Sequence, residues 1–241
     1  MSGANSTDET GATRIIVSGE EVPILFDIIV AEKFTGAEYL EARCRAPAGT
    51  DVPSPVSNYI GTCKAFLVRR DRTGPDFYDK MDEISRDTGM LALDVFEPWG
   101  EFKEELKTDP LKSGTQVWGE ELGTMDFLYI EYLLVDKAYR CHGLGQKLVE
   151  YIQCEARKKS QEFTTIVWPS TLLSNLKGDL KGKSESDCKD VFQLNRKYSI
   201  RYFRRLGFRR IGVTRWFGFS SDRNHPSRQL AAEEDYDPPP N

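Results

Sequence analysis

The chain has 241 residues, of which 39% are hydrophobic and 29% charged, an ordinary composition for a globular protein. Its formal net charge of −5 argues against general nucleic-acid binding, whose electrostatic footprint is basic. Five scattered cysteines without a CxxC pair, and only two histidines, argue against a disulfide framework and against a metal site. We therefore expect no metal cofactor and no direct nucleic-acid partner.

The two ends of the chain are polar. Residues 1–12 are small and polar, and residues 221–241 are acidic and close on prolines, so both segments are predicted to be disordered tails. No basic segment followed by an apolar one opens the chain, and no apolar run approaches the roughly 20 residues of a membrane span. These features predict an intracellular protein, cytoplasmic or nuclear, that does not contact a membrane.

The first part of the chain is predicted to consist mainly of strands. Residues 13–19 and 22–32 are rich in β-branched side chains, which favour strands. Residues 38–46 are predicted to form a short helix, and residues 47–58, which contain three prolines, a loop. The alternation of apolar and polar residues over 58–71 predicts another strand.

Helices dominate the middle of the chain. Apolar residues recur at helical spacing over 77–84 and over 91–106, where Pro98 is predicted to break or kink the helix. Residues 125–136, "MDFLYIEYLLVD", give the strongest strand signal in the sequence. A further helix is predicted over 144–156, with one apolar face. That face consists of Leu144, Leu148, Ile152 and Ala156.

The last part of the chain mixes both kinds of element. Residues 163–168 are predicted to form a strand, and the polar residues 169–190 an inserted loop. A helix is predicted over 191–206, ended by Gly207, and a last strand over 209–219. Because strands and helices alternate without a strict βαβα order, we expect one mixed α/β (α+β) domain over residues 13–220.

The segment "YRCHGLGQKL", residues 139–148, places Gly143 and Gly145 at the start of a predicted helix, where glycine is a poor helix former. A helix start exposes unpaired N–H groups and carries about half a positive charge. Glycine lets the backbone approach an anion closely, so this segment is predicted to bind a phosphate, and Arg140 either adds a contact or braces the loop. The Walker and dinucleotide-binding patterns are absent, and a plain tight turn is the alternative.

The context of this segment resembles a known family. The pattern R-x-x-G-x-G from Arg140 to Gly145, followed by an amphipathic helix, resembles the acyl-CoA-binding motif of the GNAT superfamily of N-acetyltransferases. Residues 196–212, "RKYSIRYFRRLGFRRIG", are similar to the family's late helix-turn-strand element, and residues 58–70 to its early strand. Together the resemblance covers residues 13–219.

The resemblance implies a fold, a co-substrate and a binding site. The fold is a central, mixed but mostly antiparallel twisted sheet flanked by helices, with splayed central strands, and the co-substrate is acetyl-CoA. The resemblance assigns the pantetheine arm to the main chain of Leu133, Leu134 and Val135. It assigns the pyrophosphate to the amides of Cys141, His142, Gly143, Leu144, Gly145 and Gln146.

The resemblance also implies direct attack of a neutral amine on a thioester, a reaction that needs a base and benefits from an acid. Glu131 is the candidate base, with Asp126 and Glu121 as weaker candidates, and a solvated or salt-bridged strand carboxylate is the alternative for Glu131. The family's tyrosine, a candidate acid, aligns with Phe203, and Tyr202 precedes it by one position. Tyr202 is therefore the candidate acid, unless the enzyme uses no tyrosine.

Two further features of the sequence depart from or extend the resemblance. The family's asparagine aligns with Arg196, with Asn195 one position early, which predicts a shifted or bulged helix. Trp168 and Pro169, together with the segment 169–190, are candidates for shaping an acceptor pocket, and a surface insert is the alternative.

The sequence therefore predicts an acetyl-CoA-dependent N-acetyltransferase. Its acceptor is the primary amine of a small molecule, a polyamine or a peptide. The alternative is a non-catalytic acyl-CoA-binding module of the same fold that senses the co-substrate or docks a partner.

Overall fold

The computed structural model describes residues 13–17, 20–34, 36–47, 59–171 and 173–238. The predicted tail 1–12 lies outside the described residues. The chain divides into two units, each described below by itself. Unit 1 comprises Met1–Arg72 and Leu128–Gln161, and unit 2 comprises Thr73–Phe127 and Glu162–Asn241. The expectation of a single domain over 13–220 stays a prediction.

The described residues form strands, α-helices and short 3₁₀ turns. The strands are β1 (Thr13–Val17), β2 (Glu20–Phe34), β3 (Ala37–Arg45), β4 (Gly61–Val68), β5 (Asp126–Val135), β6 (Phe163–Val167), β7 (Arg209–Arg210) and β8 (Phe217–Ser220). The α-helices are α1 (Arg70–Thr73), α2 (Phe77–Ile84), α3 (Arg86–Val95), α4 (Glu104–Thr108), α5 (Glu121–Thr124), α6 (Leu144–Arg157), α7 (Leu173–Leu180), α8 (Glu185–Arg205) and α9 (Pro226–Gln229). The 3₁₀ turns are Gly74–Asp76 and Lys137–Tyr139.

Unit 1 is built on a meander of strands that lie in chain order from β1 to β5. The pairs β1/β2, β2/β3 and β3/β4 are antiparallel. Helix α6 packs on β3 and β4. Its four predicted core residues, Leu144, Leu148, Ile152 and Ala156, are all buried. The predicted apolar face of this helix is therefore confirmed.

The predicted helix over 38–46 is wrong, because these residues belong to strand β3. This strand is paired on both sides, with β2 and with β4. Leu40, Ala42 and Cys44 alternate along it and are all fully buried, which is the two-residue period of a strand. Pairing on two sides and burial of alternate residues outweigh the local helix propensity.

Unit 2 contains helices α2 and α3, which pack against each other. Phe96 lies between two other buried rings, 5.3 Å from Phe77 and 5.8 Å from Phe127 between ring centroids. Helix α3 ends at Val95, three residues before Pro98, and the next helix begins at Glu104. The predicted break at Pro98 is therefore confirmed.

Strand β8 pairs antiparallel with both β6 and β7 in unit 2. The predicted single strand over 209–219 is wrong, because a turn separates β7 from β8. In that turn Ile211 N–H donates to the carbonyl of Trp216 at 2.9 Å. Gly212 has φ +53°, and a Cβ there would lie 2.5 Å from the carbonyl oxygen of Lys112, so the chain bends at a residue without a side chain.

The predicted inserted loop over 169–190 is also wrong in its conformation. It contains α7 and the first residues of α8. Helix α8 begins with a capping box in which Ser184 Oγ accepts from Asp187 N–H at 3.2 Å and the Asp187 carboxylate accepts from Ser184 N–H at 3.4 Å. The N–H groups of Ser184 and Asp187 are thereby hydrogen-bonded, which favours a helix over a loop at this position.

The predicted disordered tail over 221–241 is corrected for its described part, which includes α9 and packs onto unit 2. The Asp235 side chain is 0% exposed. Its carboxylate accepts from Arg204 Nε at 2.7 Å and from the Arg210 N–H at 2.9 Å. A buried carboxylate with two such donors holds the segment in place. Residues 239–241 lie outside the described residues.

The mixed α/β fold class, with mostly antiparallel strands flanked by helices, is confirmed by the two units. In the part of the chain that the structure describes, no helix combines the length and the apolar character needed to cross a membrane.

Candidate functional site

The end of strand β5 carries the residues predicted to hold a ligand by their main chain. Residues 127–130 are buried, whereas residues 132–136 are only half-buried. Leu133, Leu134 and Val135 therefore lie where the strand emerges from the core of unit 1. Their role in ligand binding stays a prediction.

Gly61, at the start of β4, lies very close to this end of β5. A Cβ on Gly61 would lie 3.2 Å from the Leu134 carbonyl oxygen, 2.9 Å from Leu148 Cδ1 and 3.0 Å from Cys44 Sγ. Only glycine fits this position without displacing its neighbours. The strand pair and helix α6 are thereby held together beside the predicted site.

The connection from β5 to α6 is fixed by hydrogen bonds. Asp136 N–H donates to the carbonyl of Ile60 at 2.8 Å, and Asp136 Oδ1 accepts from Ala138 N–H at 3.0 Å. Arg140 Nε donates to the Val135 carbonyl at 2.9 Å. Of the two roles considered for Arg140, the structure therefore shows the brace, and its two Nη groups have no hydrogen-bond partner among the described residues.

The start of α6 has an unusual backbone. Cys141 has φ +67° and Gly143, the N-cap of the helix, has φ +76°. Both residues are exposed, and a Cβ on Gly143 would have no neighbour within 4 Å. A non-glycine residue in the left-handed region is uncommon. The backbone therefore turns sharply at Cys141 and Gly143, and the space beside Gly143 is open.

The amides at this helix start have no hydrogen-bond acceptor among the described residues. The first bond of the helix runs from Lys147 N–H to the Gly143 carbonyl at 3.1 Å. Within the described residues, no acceptor pairs with the amides of the six predicted positions, Cys141, His142, Gly143, Leu144, Gly145 and Gln146. Six such amides at the positive end of a 14-residue helix can bind an anion. We call residues 141–146 the amide cradle.

Glu131, the candidate base, lies on β5 with an exposed side chain. Its charge acts on Tyr39, whose pKa is raised above its usual value by burial, by Glu41 and, to a smaller extent, by Glu131. Exposure lets Glu131 exchange a proton with solvent or with a ligand. Its role as a base stays a prediction.

A polar cluster on β3 in unit 1 was missed by the sequence analysis. Arg43 donates to both carboxylate oxygens of Glu41, at 2.8 and 2.9 Å, and to the Tyr59 hydroxyl at 2.9 Å. The Tyr39 hydroxyl donates to Glu41 at 2.8 Å. Burial opposes ionisation of Glu41, but these donors lower its pKa below the usual value. The alternation of Tyr39, Glu41 and Arg43 would have indicated the cluster if 38–46 had been predicted as a strand.

Glu121, a weaker candidate base, interacts with Gly119 and His225 in unit 2. One of its oxygens accepts from Gly119 N–H at 2.7 Å and lies 3.1 Å from His225 Nε2. Burial would raise its pKa, but these hydrogen bonds lower it below the usual value. A carboxylate with a lowered pKa and one oxygen already engaged is a poor proton acceptor. Asp126 lies half-buried at the start of β5.

Helix α8 carries the candidate acid. Phe203 is 6% exposed and packs edge-on against Phe208 at 5.3 Å, so its ring belongs to the core of unit 2. Tyr202 is half-buried with its ring edge-on to Phe203. The helix is continuous from Glu185 to Arg205, so the predicted bulge is absent from it. The role of Tyr202 stays a prediction.

Asn195 and Arg196, the two positions compared with the family's asparagine, have different environments in α8. Asn195 Nδ2 donates to the carbonyl of Val191 within the helix at 2.8 Å. Arg196 is exposed and lines a cavity in unit 2, to which Trp168 also contributes. Pro169, next to Trp168, is buried. Whether an acceptor binds there stays a prediction.

No metal centre is formed by the residues that the structure describes, since no three His, Cys, Asp or Glu side chains in them are grouped suitably.

Comparison with known proteins identifies one family. Residues 113–179 match the model of the acetyltransferase (GNAT) family. This segment contains β5, the amide cradle, α6 and β6. The match confirms the resemblance over these residues and supports acyltransferase activity in general. No curated protein and no solved structure matched the chain.

Proposed function

We propose that this protein is an acetyl-CoA-dependent N-acetyltransferase that transfers an acetyl group directly to a primary amine. The observation that carries the proposal is the amide cradle, which lies inside the segment that matches the acetyltransferase (GNAT) family. The acceptor is an amine of a small molecule, a polyamine or a peptide.

The residues of unit 1 fit the diphosphate of acetyl-CoA. The open space in front of Gly143 leaves room for phosphate oxygens, and the amides of the cradle supply donors at a positive helix end. The brace from Arg140 to Val135 fixes the loop before binding, which lowers the entropy cost of ordering it. The half-buried main chain of residues 133–135 is the proposed contact for the pantetheine arm.

The chemistry requires a neutral amine and a proton acceptor. Acetyl-CoA supplies an acetyl group activated as a thioester. In the proposed mechanism Glu131 accepts the amine proton at its carboxylate, which its exposure allows. The Tyr202 hydroxyl is the proposed proton donor to the leaving sulfur.

A second candidate function is a non-catalytic acyl-CoA-binding module. The observation that favours it is Phe203, which occupies the position of the family's tyrosine and is packed in the core. In this case the cradle binds the co-substrate but no acetyl group is transferred, and the protein senses acyl-CoA or docks a partner.

Two measurements separate these functions. Calorimetric titration of the full chain with acetyl-CoA tests the cradle, and a thiol-release assay with a panel of primary amines tests transfer. Saturable binding with amine-dependent thiol release supports the enzyme. Saturable binding with release no faster than hydrolysis supports the non-catalytic module, and absence of binding overturns both.

A further inference from the structure

A cavity of about 710 Å³ lies within unit 2, and none of the residues proposed to bind acetyl-CoA or to transfer a proton lines it. Its volume is in the range of small-molecule sites. We call it the arginine cavity. Its wall includes Asp94, Trp168, Phe192, Arg196, Arg210 and Arg215.

Arg210 forms a fixed part of the wall. Its side chain is 3% exposed and donates to the Tyr236 carbonyl at 2.9 Å, the Thr214 carbonyl at 2.9 Å and Asp237 Oδ1 at 3.2 Å. The carboxylate of Asp237 thereby compensates its charge. Arg210 is therefore structural rather than available to a ligand.

Arg215 is only partly engaged. Its Nε pairs with Asp94 Oδ2 at 3.1 Å, and the same oxygen accepts from Trp216 Nε1 at 2.9 Å. Its guanidinium lies 5.1 Å from the Trp168 ring, and its side chain is 41% exposed. The Asp94 charge is thus compensated, while the Nη groups of Arg215 have no partner in the described part of the chain.

The uncompensated charge of Arg196 gives the cavity an excess of positive charge. It is exposed on α8, and among the described residues no carboxylate pairs with it. The buried Thr171 Oγ1, from another lining residue, likewise has no hydrogen-bond partner in the described chain. Trp168 and Phe192 supply flat apolar surface beside these donors.

We infer that the arginine cavity binds an organic acid, with its acid group held by Arg196 and Arg215 and its flat apolar body lying beside Trp168 and Phe192. Guanidinium groups pair with carboxylates by two parallel hydrogen bonds, which makes this recognition directional. A cationic ligand would meet like charge. This inference goes beyond the proposed acetyl transfer and does not depend on it.

The test compares three probes that share an indole body and end in a carboxylate, an uncharged amide or an ammonium group. Indole-3-acetate, indole-3-acetamide and tryptamine are titrated into the full chain by calorimetry, without acetyl-CoA. We expect saturable binding of indole-3-acetate, binding of the amide weaker by about tenfold or more, and no saturable binding of tryptamine. Tryptamine binding as tightly as the acid, or an acid no better than its amide, would overturn the inference.

Single substitutions test whether indole-3-acetate binds in the arginine cavity. Arg196→Gln is expected to weaken binding of indole-3-acetate by about tenfold while leaving the amide unchanged. Arg201→Gln, an exposed arginine on the same helix outside the cavity, is the matched control and is expected to have no effect. Equal affinities of the two variants for the acid would overturn the assignment, and circular dichroism of both excludes misfolding as the cause.

Discussion

The carbonyl oxygen of Leu134 lies 3.2 Å from the position that a Cβ on Gly61 would occupy. This approach brings β4 against the end of β5, where the main chain is proposed to contact the pantetheine arm. The same Cβ would lie 2.9 Å from Leu148 Cδ1 on α6. The absence of a side chain at Gly61 therefore allows two strands and the helix that carries the amide cradle to pack this closely.

Gly61→Ala is expected to lower the free energy of unfolding by about 1–3 kcal/mol, because the added methyl group overpacks this contact. Urea denaturation measures the loss. Gly178→Ala is the matched control, since a Cβ there has no neighbour within 4 Å and the residue lies inside α7. The control should be stabilised by up to about 1 kcal/mol. An equal or higher stability of Gly61→Ala would contradict the close approach.

Gly143→Glu is expected to reduce acetyl-CoA affinity by more than about 100-fold, because it places a carboxylate in front of the amide cradle. Calorimetric titration measures the affinity. Gly182→Glu is the control, since Gly182 has nearly the same φ, +75°, and equally open surroundings. Both variants should lose about 1 kcal/mol of stability from the left-handed backbone, and only Gly143→Glu should lose affinity. Unchanged acetyl-CoA affinity in Gly143→Glu would show that the amide cradle does not bind the diphosphate.

Glu131→Gln is expected to lower turnover by about 100-fold or more with acetyl-CoA affinity unchanged, because the amide cannot accept a proton. The thiol-release assay and calorimetry measure the two quantities. Asp126→Asn, at the other end of the same strand, is the comparison. A large loss in Asp126→Asn and near-normal turnover in Glu131→Gln would transfer the role of base to Asp126.

Asp235→Asn is expected to lower the free energy of unfolding by about 1–3 kcal/mol, because it removes the charge of one of the two carboxylates that pair with the half-buried Arg204 and leaves only Asp237. Urea denaturation of the full chain is the measurement. Glu233→Gln, an exposed carboxylate two residues earlier, should change stability by less than about 0.5 kcal/mol. Equal stability of the two variants would show that the C-terminal segment is not held by this pair.

Elements whose signal lies in neighbouring residues could be predicted from the sequence. The face of α6 repeats every three to four residues, so its buried residues were identified from their spacing. The break at Pro98 follows from the missing N–H of proline. Gly143 of the amide cradle also gives a local signal, because glycine adopts the left-handed backbone of this N-cap without steric cost.

Elements stabilised by distant partners could not be predicted in this way. Residues 38–46 form a strand because β2 and β4 pair with both of its edges, and neither partner is visible in the segment itself. The same holds for the polar cluster around Glu41, whose members meet only in that strand.

The sequence by itself determined the order of most elements, the glycine-containing start of α6 and the family resemblance, because these depend on residues within one or two helical turns of each other. The tertiary structure alone decided that Arg140 braces the loop through Val135, that Glu121 is engaged by His225, and that the acidic C-terminal segment packs against Arg204. Each of these depends on which donors and acceptors the fold brings within hydrogen-bond distance, and a linear pattern does not contain that information.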